Sequence, residues 1–396
     1  MFKTLITKIS SLVLFLAFVA TLVVSQSEQP AQLPEQSDQP AAAPTPTPAI
    51  TDLATLNLHR WGAVTLFHGL PSDRVNAIVE DSNGMMWFGT DNGLVRYDGR
   101  NVEPVTGEAL LPSRRILALK LDGRGGLWIG TEAGAARWLD NHLLVLEDTN
   151  GKAINAIAVS AHNEVALVSQ RGEIFRYAES KPDQVSSESH ANASPVSKLN
   201  LTRLDPFTNP AQLKIANQTE DALPLLAATY APSQELAIGS GGRGLLLNHG
   251  KDIREAVARS PRPFFLAAAF ADENQIWLGE FANARAGGLW SYAKDTMKRH
   301  PLITEAVSAI HGNKGELWIG THRRGAFLLQ TEADNVRLIE HLTFENTAGG
   351  LRSNQINAVF RDREGVVWFG TDRGICRYDR DSFRATMLSG DSQSNY

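Results

Sequence analysis

A single cysteine, Cys376, stands in 396 residues, so no internal disulfide can staple this fold and no cysteine cluster can hold a metal. In a strand-like context it reads as a small buried hydrophobe. Apart from one stretch near the N-terminus, no apolar run is long enough to span a membrane; Phe264–Phe270 has only the length of a strand. There is no His-Glu-x-x-His, no Gly-x-Ser-x-Gly elbow and no phosphate-binding glycine loop between a strand and a helix. The ten histidines are scattered, and His68, His322 and His341 have no partner at ligand spacing, so neither a metal nor a cofactor is expected. A formal net charge of −5 gives no reason to expect nucleic acid as a partner. Hydrophobic content of 43% and charged content of 20% are ordinary for a globular chain.

What the chain does have is one phrase written four times: Trp87 to Thr90, Trp128 to Thr131, Trp318 to Thr321 and Trp368 to Thr371, each Trp-x-Gly-Thr. Trp87 and Trp128 are 41 residues apart, as are Trp277 of a variant phrase and Trp318, a period suited to one four-stranded propeller blade. An alanine precedes most of these tryptophans by ten residues (Ala77, Ala118, Ala267, Ala358), and Ala309 precedes its own by nine. The same frame finds two copies without tryptophan, Ala156 before Ala166–Ser169 and Ala227 before Ala237–Ser240. Seven units result, the third carrying an insertion. The alanines fall in apolar runs that would be innermost strands, crowded about an axis where only small side chains fit.

Each unit reads as strand, turn, strand, turn, strand. Asp81-Ser82-Asn83-Gly84 and Asp362-Arg363-Glu364-Gly365 are turn formers, their glycines supplying positive φ. A second tight turn, Thr90-Asp91-Asn92-Gly93 or Thr371-Asp372-Arg373-Gly374, leads to a third strand, and Asn101 to Val105 offers a more polar fourth. The fold expected is therefore all-β, a seven-bladed propeller with four antiparallel strands per blade. The tryptophans then belong between blades, as packing rather than as sugar-stacking platforms. Gly239 to Gly244, though glycine-rich, falls in a strand-to-strand turn.

Gly69-Leu70-Pro71-Ser72, Val75 to Ile78, Asp81, Gly84, Trp87 to Thr90, Gly93-Leu94 and Tyr97-Asp98 together resemble the two-component regulator propeller repeat, and Gly350 to Asp379 repeats the pattern closely. The copies at Trp128 and Trp318 are good matches, that at Trp277 is partial, and those at 166 and 237 keep only the frame. The resemblance covers residues 60 to 388. Members of that family commonly continue into a small β-sandwich, a membrane span and a histidine kinase. This sequence stops at Tyr396 after its last repeat, so the resemblance implies the sensory half alone, with no kinase activity of its own and a membrane sensor kinase as a partner. If the sequence is a piece of a longer one, the propeller would be the ectodomain of a transmembrane sensor.

Lys3 and Lys8 ahead of the apolar stretch Leu12 to Val24, with small residues up to Ser25, have the layout of a secretory signal peptide over residues 1–25; an uncleaved anchor is the rival reading. Residues 26–55, with a Pro-Thr-Pro-Thr-Pro tract, read as a disordered linker, 56–390 as the propeller and 391–396 as a tail. The chain is expected to be exported, to a periplasmic or extracellular location. Ala63 to Phe67 is a surplus strand that should pair with the last blade and close the ring, in competition with Ser382 to Leu388. In the third unit, 179–198 should form a loop, Leu199 to Leu204 the outer strand, and 205–221 a lid over one face.

Strand polarity gathers the loop leading into each blade and the turn after its second strand on one face. Those loops carry Arg74, Arg114, Arg115, Arg171, Arg243, Arg285, Arg323, Arg324, Arg352 and Arg373, against Asp73, Asp91, Glu132, Glu280 and Asp372. A planar guanidinium holds a carboxylate through two hydrogen bonds, and a concave mouth concentrates the field of several. The expected function is ligand or protein binding at the channel mouth, with an anionic small molecule or acidic oligosaccharide as ligand. The alternative is a propeller enzyme, a lyase or glycan-cleaving enzyme, whose acid and base would converge at the same mouth from different blades.

Overall fold

The structure, a computed structural model, describes residues 60–105, 110–179, 201–204, 225–249, 252–256, 266–283, 286–313, 315–332 and 335–380. The chain divides into 1–50 and 51–396. The first unit, with the signal and most of the linker expected there, lies outside the described residues, as do 180–200, 205–224 and 382–388. Seven four-stranded antiparallel sheets make up the rest. Their inner strands are Val75–Glu80, Ile116–Leu121, Ile154–Val159, Leu225–Tyr230, Leu266–Ala271, Val307–Asn313 and Ile356–Arg361, each beside the next, with the last beside the first. In blade one the inner strand is followed by Met86–Thr90, Gly93–Tyr97 and Val102–Pro104. Blade three takes Leu201–Leu204 as its outer strand, paired with Ile174–Glu179 beyond the insertion, as the sequence suggests.

Among the described residues, blade seven has no fourth strand of its own in sequence order. Trp61–Val64 supplies it, pairing antiparallel with Gly374–Tyr378 from Trp61↔Tyr378 to Val64↔Ile375. The closing strand thus lies two to three residues earlier than expected, and Leu66–His68 is a 3-10 turn. Trp61 packs on Tyr378, ring centroids 4.6 Å apart, and rests against Gly350, where a Cβ would come within 2.5 Å of the indole. That contact accounts for the glycine ahead of Leu351.

Every letter of the repeated phrase has a physical role. The tryptophan ring packs on an aromatic residue in the third strand of the next blade: Trp87 on Trp138, Trp128 on Tyr177, Trp318 on Tyr378 and Trp368 on Tyr97. Its indole N–H donates to the aspartate of the preceding turn, Trp87 to Asp81 at 2.9 Å, Trp128 to Asp122 at 2.8 Å, Trp277 to Asp272 at 2.9 Å and Trp368 to Asp362 at 2.8 Å. The other carboxylate oxygen of that aspartate accepts turn amides, for instance those of Asn83 and Met85. The glycine lies under the next blade: a Cβ on Gly89 would sit 2.5 Å from Ile116 Cγ2, and one on Gly130 would sit 2.4 Å from the carbonyl oxygen of Ile154. The threonine hydroxyl closes the second turn, as Thr90 Oγ1 does on the Gly93 carbonyl at 2.8 Å.

Around the axis the small-residue rule holds in all seven blades, with one correction. The alanine opposite the phrase glycine in blade five is Ala268, which pairs with Gly279, and not Ala267. The spacing from Trp277 is therefore nine, as in blade six. Each inner strand also has a register shift just before its alanine, so one residue per blade bulges from the ladder: Asn76, Leu117, Asn155, Leu226, Ala267, Ser308 and Asn357. A bulge re-aims its side chain. Four of these reach sideways to the neighbouring inner strand: Asn76 Nδ2 to the Ile116 carbonyl, Asn155 Nδ2 to Leu225, Ser308 Oγ to Ile356 and Asn357 Nδ2 to Val75. Blade is thus tied to blade next to the axis as well as through the tryptophan layer.

Candidate functional site

In blades one, two, three and six a backbone hydrogen bond joins the leading loop to the turn after the second strand, and these define the mouth of the channel. The Asp91 amide donates to the Arg74 carbonyl at 3.1 Å, Glu132 to Arg115 at 3.1 Å, Gln170 to Ala153 at 2.9 Å and His322 to Ala306 at 3.0 Å. The residue after each phrase therefore stands at the rim: Asp91, Glu132, Gln170, Gly241, Phe281, His322 and Asp372.

On one side of the rim Asp91 is a hub. Its carboxylate accepts from Asn76 Nδ2 at 2.8 Å and from Arg115 Nε at 3.3 Å, with Arg74 Nε at 3.7 Å; Arg115 also reaches Glu132 at 3.1 Å. Two blades away, burial holds the His322 imidazole below the usual histidine range, and the charges of Arg323 and Arg74 push the same way against Asp372. Arg74, His322, Arg323 and Asp372 therefore converge, and Phe281 meets His322 edge-on at 5.3 Å.

The arginines expected at the mouth separate into groups. Arg74 and Arg115 are brought together on Asp91. Arg324 turns toward Glu305 at 3.9 Å, and Arg243 pairs with Glu255 on the outermost strand of blade four, at the margin of the face. Arg114, Arg171, Arg323, Arg352 and Arg373 are exposed and form no ion pair among the described residues. Arg285 and the expected lid over 205–221 lie outside the described residues. His322 and Phe281 went unnoticed in the sequence as site residues, although each follows its phrase at the place of Asp91.

Below the rim the channel encloses about 440 Å³. After the alanine ring comes a ring of Ile78, Leu119, Ile157, Ala228, Ala269, Ile310 and Val359, then a more varied one that includes Lys120, Phe270, His311 and Phe360. His311 lies between Phe270 and Phe360, centroids 5.9 and 5.0 Å away, and burial, with help from Lys120 and Arg361, lowers its pKa to about 4. The sulfur of Cys376 is buried against the closing strand, which pushes the thiol up to about 12. Among the described residues no group of histidine, cysteine or acidic side chains is arranged to hold a metal, and no helix is long and apolar enough to cross a membrane.

The sequence profile described as two component regulator propeller matches residues 69–92, 110–133 and 350–373, which are blades one, two and seven. Blade six, expected to match well, is not among them. Asn313 replaces the turn aspartate there, and its hairpin is tightened by pairing with Glu316. No curated protein sequence matches the chain at a significant level. Solved structures match the fold. One extracellular domain of a hybrid two component system from B. thetaiotaomicron is 18% identical with a TM-score of 0.60, covering 82% of this chain and 40% of its own. A second is 19% identical with a TM-score of 0.61, covering 81% and 42%. This chain thus spans about two fifths of the length of those domains. Virginiamycin B lyase from Staphylococcus aureus is 10% identical with a TM-score of 0.56, covering 81% of this chain and 98% of the lyase. With the repeat matched in three blades and its frame in all seven, the chain is a seven-bladed β-propeller that carries the two-component regulator propeller repeat in blades one, two and seven.

Proposed function

We propose that this propeller is the exported ligand-binding module of a two-component-type signalling system and that it takes an anionic ligand at the channel mouth. The observation that carries this reading is the set of exposed guanidinium groups without an acidic partner, Arg114, Arg323, Arg352 and Arg373, on the face where Arg74 and His322 converge. A ligand carboxylate or sulfate gives such groups the partner that the chain does not, and a charged hydrogen bond of this kind contributes about 1.5–3 kcal/mol. The N-terminal signal pattern supports export, and the shared fold with extracellular domains of two-component systems supports a sensory role. The output in this reading comes from a membrane sensor kinase. An acidic oligosaccharide or a carboxylate-bearing small molecule fits the chemistry; a neutral glycan would leave the arginines unanswered.

Binding of acidic and neutral oligosaccharides to the full chain, at two salt concentrations, tests the reading. Replacing Arg323 and Arg373 by Ala is expected to weaken acidic ligands by about 1.5–3 kcal/mol per lost charged bond, with no change in melting temperature. Equal affinity for neutral and acidic ligands, or indifference to salt and to both substitutions, would overturn it. Product analysis on the same samples separates binding from a lyase or hydrolase activity.

A further inference from the structure

Among the described residues the wall of the channel carries one charge. Lys120 is the only ionised side chain among its described lining residues, none of which is Asp or Glu, and it forms no hydrogen bond or ion pair. Its side chain is exposed to the solvent of the channel, and the protein around it lowers its pKa by desolvation. The equivalent places in the other blades hold Val79, Ala158, Thr229, Phe270, His311 and Phe360, so the lysine is the departure in charge from the repeat. An unpaired ammonium group partly screened from water by apolar side chains is stabilised by a counter-charge. Above Lys120 the tube is aliphatic for two rings. At the level of the bulged residues Asn155 Oδ1 is buried without a hydrogen-bond partner.

We propose that the channel itself binds a short aliphatic monocarboxylate end-on, its carboxylate on Lys120 and its hydrocarbon chain running up past the isoleucine, leucine and alanine rings toward the mouth. Three residues separate the lysine ring from the bulged ring, about 10 Å at roughly 3.3 Å per residue, a length suited to a medium-chain acid. A single lysine answers one negative charge, which disfavours phosphates and polyanions. The apolar rings disfavour a bare sugar. His311, uncharged at neutral pH and across the channel from Lys120 in the order of blades, adds a ring nitrogen without a second charge. This site is separate from the arginines of the mouth and does not depend on them.

Calorimetric titration of the full chain with octanoate, and with octanol as its neutral counterpart, tests the proposal. Octanoate is expected to saturate one site and octanol to bind at least about tenfold more weakly. Lys120→Met should weaken octanoate by about tenfold or more while Lys120→Arg keeps most of the affinity; melting curves establish that both fold. Affinity should decline with rising pH below the range in which an ordinary lysine loses its charge. Absence of saturable octanoate binding, equal binding of octanol, or an undiminished Lys120→Met would overturn the proposal. So would weakening by Arg323→Ala without weakening by Lys120→Met, which would place the anion at the mouth instead.

Discussion

Blades two and three are neighbours built on one frame, and they hold on to their next neighbours in different ways. In blade two, Trp128 fills the interface, and Asp122 accepts from its indole and from the buried guanidinium of Arg137 at 2.6 Å, while Arg137 also covers the indole face at 5.4 Å. In blade three the tryptophan position is Ala166, the aspartate position is Ser160 and the phrase glycine is Val168. All three changes occur together. Blade four repeats the pair of losses with Ala231 and Ala237. The interface after blade three is filled by aliphatic side chains and by Tyr230, contributed from the inner strand of blade four. Aspartate and tryptophan therefore form one device: without the indole there is no donor to justify a half-buried carboxylate, and the next blade brings the missing bulk. Serine keeps only the turn function, its Oγ accepting the Glu164 amide at 3.0 Å.

The harshest way to break the comparison is to remove what both kinds of interface depend on. Deleting residues 56–68, which include the closing strand, should cost more than a single large core truncation, that is more than about 4 kcal/mol, and lower the melting temperature sharply; an unchanged curve would deny that Trp61–Val64 closes the ring. Next, Asp122→Ala should cost about 3–5 kcal/mol because it strands Arg137 as a buried charge, whereas Ser160→Ala, its counterpart in blade three, should cost about 1 kcal/mol. Chemical denaturation of both variants reads the contrast, and similar losses would undo the argument that the two interfaces differ in kind.

A probe outside both interfaces calibrates these effects. The His311 pKa is about 4 in the folded chain, against about 6.5 unfolded, so between those values the unfolded state binds the proton and the folded state does not. Stability is therefore complete above about pH 6.5 and falls toward pH 4, by about 2–3 kcal/mol when channel water is allowed for. His311→Phe should flatten that slope in melting measurements across the window. Gly89→Ala should cost about 1–3 kcal/mol from forcing a methyl onto Ile116. Blade three already has Val168 at that place, so Val168→Ala should cost about as much through the opposite defect, a cavity.

The repeat, the number of blades, six of the seven inner alanines and, two to three residues off, the closing strand were legible in the sequence, because each rests on periodicity or on a residue type with few alternatives. The phrase Asp-x-x-Gly-x-x-Trp was visible as a spacing, but the indole-to-carboxylate bond behind it was not, since six residues of separation say nothing about facing directions. The bulges were hidden as well: an extra residue in a ladder leaves no mark on an apolar run, and the role of Asn76 or Asn357 follows only from it. Strand polarity leads to the expectation of the arginines on one face. It did not tell which were neutralised, because the partners of Arg115 and Arg243 come from a different blade or a distant strand. Nothing in the sequence marks Lys120; only the ring of inner strands sets it on the channel wall.

The strand that completes the last blade is the first part of the propeller to be synthesised, and its partner, Gly374–Tyr378, is the last described strand to appear. Such a chain cannot commit to its final topology one blade at a time as it emerges. The first strand must stay unpaired, with Trp61 exposed, until the seventh blade arrives, which is the long-range contact that slows folding and exposes edges to the wrong partners. A propeller of this kind is best made where folding can wait for the whole chain, and its edges are sealed only in the act of finishing it.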